Sequence, residues 1–135
     1  MKIEGFLNMI PPTTTHQNKK LGVRNNKPFM YDHPKLKEVK QEIKNHLFNF
    51  KPEKPFSGAL VLDLTILYKS KKGQPNGTPY LKKPDWDNAA KTFQDCMADL
   101  GFMSDDCKVF DGRVRQFYND QAGIFFRLEQ IKGNG

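Results

Sequence analysis

The chain has 135 residues, with 22 lysines and arginines against 15 aspartates and glutamates and a net charge of +7. That length suits one domain with a core of its own, and no run of about 18 apolar residues is present that would cross a membrane as a helix. The positive excess points to a polyanionic partner, nucleic acid before an anionic membrane surface, although the total alone does not separate these from a basic soluble protein without one.

Residues 2–10 alternate weakly and stop at Pro11-Pro12, which predicts a first strand and then a loop. Glu4 breaks the apolar character of MKIEGFLNMIPP, so this is not a secretion signal, and a cytoplasmic protein is expected. In that setting the two cysteines, Cys96 and Cys107, are expected as free thiols packed in the interior. PPTTTHQNKKLGVRNNKP is polar and basic and reads as a loop through Pro28, with PFMY a candidate short strand. Asp32 and Pro34 mark a helix start. Leu36, Val39, Ile43, Leu47 and Phe50 then recur at spacings of three and four, the stripe of an amphipathic helix ending near residue 50. Lys35, Lys37, Glu38, Lys40 and Lys44 make its solvated face.

After the turn-rich KPEKPFSG, the segment GALVLDLTILYK alternates Leu60, Leu62, Leu64 and Ile66 and predicts a strand. Residues 69–84, KSKKGQPNGTPYLKKP, hold five lysines and no acid, and their glycines and prolines make them a loop. A second helix is expected over 87–100, closed by Gly101, the residue type that ends helices in the left-handed conformation. CKVFDGRVRQFY and AGIFFRLEQI are two further strands joined through NDQ as a hairpin. The fold expected is mixed α/β (α+β): one domain over residues 1–135, with a mixed sheet packed against two main helices. His16, His33 and His46 have neither metal-ligand spacing nor a nearby acid, and no catalytic role is assigned to them.

Chemistry concentrates in KKPDWDNAAK, residues 82–91. Asp85 and Asp87 stand one residue apart and repel each other unless a cation lies between them. On a wheel of about 100° per residue, Ala89, Phe93, Cys96, Met97 and Leu100 form the core side of the second helix. Asp87, Lys91 and Asp95 follow at spacings of four along another face. Asp105 and Asp106 come after the helix and meet the first acids if the next strand runs back beside it. Carboxylate oxygens suit a hard divalent cation such as Mg²⁺. Phosphodiester cleavage needs a metal to activate water and a cation such as Lys91 to stabilise the pentacovalent phosphate. The same residues also read as local structure: Asp87 as a helix N-cap, Lys91 in ordinary helix-surface pairs with Asp87 and Asp95, Asp105-Asp106 as a polar turn. Trp86 either stacks on a base or sugar or packs against the core, and the core is the commoner place for a tryptophan.

KPDWDNAAKTFQDCMADLGFMSDDCKVFDGRV resembles the signature of RusA-type Holliday junction resolvases, endodeoxyribonucleases of phage and prophage type. The matching residues are Pro84, Asp85, Asp87, Asn88, Lys91, Asp95, Gly101-Phe102, Asp105-Asp106 and Val109. IPPTTTHQNKK is similar to the Pro-Pro loop after that family's first strand, and the basic loop before the signature recurs, so the likeness covers nearly the whole chain. Ala89-Ala90 and Cys96-Met97 depart from the family's bulkier aliphatics. The resemblance implies a homodimer that makes paired symmetric nicks in a four-way DNA junction, with Mg²⁺, or Mn²⁺ in its place, and no small-molecule cofactor or membrane. It implies Asp85, Asp87 and Asp106 as metal ligands, Lys91 as the catalytic cation, and Asn88, Asp95 and Asp105 in support. Lys69, Lys71, Lys72, Lys82 and Lys83 are then contacts to DNA phosphates, giving affinity and salt dependence without sequence readout.

Two other readings share parts of this pattern. A non-catalytic nucleic-acid-binding module needs the charge and the loop but not the ordered acids. A transferase using an Asp-x-Asp metal site needs a donor-nucleotide domain, for which a chain this short leaves little room, and a Gly-rich phosphate loop, which is not present.

Overall fold

The strand over GALVLDLTILYK organises the molecule. In the computed structural model, which describes residues 1–13, 19–24, 27–32 and 34–131 (19–24 and 27–32 in their backbone alone), it is β4 (Leu60–Lys69). Its period of two puts Leu60, Leu62, Leu64, Ile66 and Tyr68 on one buried face and leaves Val61, Asp63, Thr65 and Leu67 half-buried on the other. The four-stranded sheet runs β1 (Lys2–Leu7), β6 (Gly123–Gln130), β4, β5 (Val109–Asn119). β4 pairs antiparallel with β6 and parallel with β5, and Leu64 lies opposite both Phe126 and Val114. The inward rows of the strands therefore coincide.

A parallel pair needs a crossover, and α2 (Trp86–Leu100) supplies it. α2 lies on the buried face beside α1 (Pro34–Leu47), and α1 sinks Leu36, Ile43 and Leu47 into the same core. Phe93 of α2 and Phe102 after it both pack on Phe126, ring centroids 5.9 and 6.4 Å away. Each such side chain contributes roughly 1.5–3 kcal/mol by leaving water. The Cys96 thiol lies between the helices, 3.6 Å from the Lys40 carbonyl, and burial pushes its pKa up to about 12. Gly101 closes α2 as expected, at φ 87°, its N–H bonded to Ala98 O and the next N–H, of Phe102, to Met97 O. This reversal sends Phe102 and Met103 into the core and brings Asp105 and Asp106 to the surface beside α2. Among the described residues no helix is long and apolar enough to cross a membrane.

Several expectations are corrected. β5 and β6 do not form a hairpin: β4 lies between them. β4 and β6 bury the most apolar rows and take the centre, and the polar β5 goes to the edge. Residues 120–122 cross the end of β4, where Lys69 Nζ donates to the Asp120 carbonyl at 2.7 Å. The basic segment after Pro12 is not all loop either. β2 (Lys19–Arg24) and β3 (Lys27–Asp32) pair antiparallel with Arg24 opposite Lys27. A two-stranded ribbon needs no apolar run to pair its backbones; PFMY falls in its second strand. Cys107 is exposed, not interior, because the chain is at the surface between Gly101 and β5. His16 and His33 lie outside the described residues; His46 is in the last turn of α1.

Candidate active site

The lysine-rich loop is tied to the sheet before it reaches the acids. Gly77 N–H donates to Tyr118 O at 2.9 Å, Tyr118 N–H to Thr78 O at 2.8 Å, and Tyr80 N–H to Gln116 O at 3.0 Å, so residues 77–80 extend the free edge of β5. Tyr80 then lies flat on Tyr68 of β4, centroids 3.7 Å and planes 13° apart, with Tyr118 at 5.3 Å. Its hydroxyl donates to the Lys83 carbonyl. Gln116 Nε2 donates to the Tyr68 hydroxyl at 2.7 Å and reaches the Pro84 carbonyl at 3.4 Å. The carbonyls of Lys83 and Pro84, joined by a cis peptide, are thus both held from the sheet immediately before Asp85. Burial pushes the Tyr68 phenol well above its ordinary value, and burial with Tyr118 beside it raises Tyr80 too. Both stay neutral hydroxyls, able to donate.

Asp85, not Asp87, holds the N-cap position of α2, in extended conformation. Its carboxylate makes no cap bond and turns to Lys83 Nζ, 2.9 and 3.1 Å away. Asp87 is exposed in the first turn, where the helix dipole favours an anion. Trp86, between them, is 62 % exposed and outside the core, as is Leu81 at 89 %. Asn88 is buried under the helix start, and the Thr92 hydroxyl donates to its carbonyl at 3.1 Å.

One turn past Asp87, Lys91 donates to Asp106 and pairs with Asp95 at 3.0 Å. Asp95 also stands 3.7 Å from Lys40. The bond to Asp106, above all, raises the Lys91 pKa, against a lowering by burial and with further support from Asp95. Lys91 is a charged ammonium at neutral pH. Asp105 caps the short 3-10 turn 106–108, accepting the Cys107 N–H at 3.1 Å, and that bond chiefly holds its carboxyl below the usual range. Lys40, Lys91, Asp95, Asp99, Asp105 and Asp106 line an open cleft of about 290 Å³.

The fold therefore assembles Lys91, Asp95 and Asp106 and places Asp87 along the same helix. It does not close Asp85, Asp87 and Asp106 on a point. Among the described residues no three His, Cys, Asp or Glu side chains stand together to hold one metal ion; Asp85 pairs with Lys83 and Asp106 with Lys91 instead. Of the five loop lysines, Lys71, Lys72, Lys82 and Lys83 are exposed along the loop, and Lys69 is exposed but bonded to the Asp120 carbonyl. Sequence reasoning missed Tyr68, Tyr80 and Gln116. Their only trace is an aromatic in an acid-free loop and inward positions at the ends of two strands.

A family model for endodeoxyribonuclease RusA matches residues 10–129, most of the chain and every residue of this site. A search of curated proteins gives no match. The matched span takes in the basic loop, the Asp85–Asp87 turn, Lys91 and Asp106 together, and on that match the chain belongs to the endodeoxyribonuclease RusA family, nucleases that act on branched DNA junctions.

Proposed function

We propose that the chain is a Mg²⁺-dependent endonuclease that resolves four-way DNA junctions by paired, symmetric nicks, working as a homodimer. The observation that carries this reading is Lys91, held protonated against Asp106 one turn from Asp87, in a chain of this family. The donor set is all carboxylate oxygen, which suits Mg²⁺ or Mn²⁺. Asp85, Asp87 and Asp106 would hold the ion, and to do so Asp85 and Asp106 must give up Lys83 and Lys91. When bound, the ion supplies an activated water and charge neutralisation at the phosphate. Lys91 supplies a fixed positive charge for the pentacovalent phosphate as it forms. Asp95 and Lys40 keep the Lys91 side chain along the helix, and Asp105 shapes the turn that presents Asp106. Lys69, Lys71, Lys72, Lys82 and Lys83 hold DNA phosphates.

The parted carboxylates favour a second reading, a junction-binding module without catalysis. A synthetic four-way junction separates the two. Strand nicks that appear with Mg²⁺ and vanish in excess EDTA support the nuclease; tight binding with no nick under any divalent metal supports the module.

A further inference from the structure

The turn from Tyr80 to Trp86 sorts its side chains into two opposite surroundings. Tyr80 and Pro84 face inward, the first stacked on Tyr68 and the second buried with its carbonyl near Gln116. Leu81 and Trp86 face outward, 89 % and 62 % exposed, and neither belongs to the core. An apolar side chain on a slack loop folds back on its own chain. This loop is not slack: the edge of β5 pins it at one end, Tyr80 and Gln116 pin its middle, and α2 begins at the other. Leu81 and Trp86 are held out in water beside the acids.

Their neighbours indicate the occupant. Lys82 and Lys83 lie between them, and residues 69–84 contain no acid. The match for an apolar pair in a cationic setting is a flat apolar group on an anionic chain, that is, a nucleobase. A second copy of this chain meeting the turn across a twofold axis would bring the same lysines together.

We propose that Leu81 and Trp86 form a contact for unstacked nucleobases at the branch point of DNA, Trp86 stacking on a base and Leu81 wedging beside it. This rests on the junction-nuclease reading and extends it from phosphates to bases. A continuous duplex keeps its bases stacked and offers no such face, whereas a branch point does. The contact selects branched over linear DNA without reading sequence.

Trp86 is the only tryptophan of the chain, so its emission reports this contact alone. The full chain is titrated in Ca²⁺ with a four-way junction and with a duplex of the same sequence, and occupancy is followed by gel shift. At full occupancy the junction quenches Trp86 emission by stacking a base on the indole, and the duplex leaves it nearly unchanged. Trp86→Ala lowers junction affinity by roughly five- to a hundredfold, spares duplex affinity, and leaves the salt dependence as steep as before, since every phosphate stays bound. Trp86→Phe restores most of the affinity, and Leu81→Ala has a smaller effect of the same kind. Unchanged emission on a fully bound junction overturns the proposal and leaves the nuclease reading intact. So does a Trp86→Ala chain that keeps the junction-to-duplex ratio, or one whose only defect is loss of self-association by light scattering. If the wild-type chain shows no preference for junction over duplex, the junction reading falls and this proposal falls with it.

Discussion

Lys91 and Asp106 are joined by an ion pair across the turn that ends α2. The pair makes Lys91 a cation rather than a base. Its pKa is raised, chiefly by the bond to Asp106, so proton abstraction from water at neutral pH is not its task. It can hold negative charge on a phosphate, and it is placed to exchange one anionic partner for another.

Lys91→Ala is expected to slow single-turnover nicking by roughly 10²- to 10³-fold, the scale of removing one preorganised electrostatic donor, with junction affinity nearly intact. A variant that loses binding but nicks at the wild-type rate once saturated would make Lys91 a docking residue.

The same pair has a pH signature. A raised lysine pKa means that the folded state favours the charged form. The pair's stabilisation is therefore complete below the ordinary lysine value of about 10.4 and is lost as pH rises through the higher folded value. Thermal melts of wild type and Lys91→Ala should differ by a constant amount from about pH 7 to 9 and converge at more alkaline pH. A gap that closes instead between pH 7 and 9 would show that Asp106 does not hold Lys91 in solution.

Tyr80→Phe keeps the ring on Tyr68 and removes only the hydroxyl that binds the Lys83 carbonyl. It should cost about 0.5–1.5 kcal/mol of stability and lower the nicking rate by loosening the turn that presents Asp85, with junction affinity falling less than in Trp86→Ala. Tyr80→Ala also loses the stacked ring, and should cost about 0.5–1.5 kcal/mol more than the lost apolar area alone. Urea melts beside single-turnover nicking check both. Full activity in Tyr80→Ala would mean that the clamp holds the loop and has no bearing on the acids.

Much of this molecule is legible in its sequence because periodicity reports burial. The rows Leu60–Leu62–Leu64–Ile66 and Leu36–Ile43–Leu47, and the stop at Gly101, are each read from local spacing and each observed. The family signature depends on order along the chain, and the family match bears it out. What local spacing cannot report is which strands become neighbours: Asn119-Asp120-Gln121 suits a hairpin, yet β4 takes the place between β5 and β6. Trp86 has the composition of a core residue and the exposure of a contact residue, because its position at the first turn of α2 turns it outward. Tyr80 and Gln116 are far apart in sequence and meet only through the parallel pairing of β4 and β5 and the loop laid along its edge.

Nicking should require Mg²⁺ or Mn²⁺, with Ca²⁺ supporting binding and little cleavage. Carboxylate oxygens accept all three ions, but they differ in size and in the geometry they demand. EDTA should abolish nicking, and Mg²⁺ in excess should restore it. Full nicking in EDTA would refute the metal chemistry while leaving junction binding untouched.

The acids and the loop lysines are expected to divide chemistry from grip. Asp85→Asn, Asp87→Asn and Asp106→Asn should each remove cleavage and keep or strengthen junction binding. Asn preserves the shape of the side chain, removes the charge that would hold the ion, and relieves repulsion between carboxylate and DNA phosphate. Asp85→Asn also frees Lys83, now 2.9 Å from that carboxylate, for a phosphate, so its affinity should rise most. Neutralising Lys71, Lys72, Lys82 and Lys83 together should do the reverse: affinity falls, and the slope of log affinity against log salt flattens by roughly one unit for each phosphate that is no longer neutralised. Gel-shift titration in Ca²⁺ at several salt concentrations, beside single-turnover nicking in Mg²⁺, reads both effects on the same proteins. Asn variants that nick at wild-type rates would reduce the acids to a helix start and a turn, and the nuclease would need another centre. A lysine variant that keeps its affinity and its salt slope would make residues 69–84 a solvated surface, with the DNA phosphates held elsewhere on a chain of net charge +7.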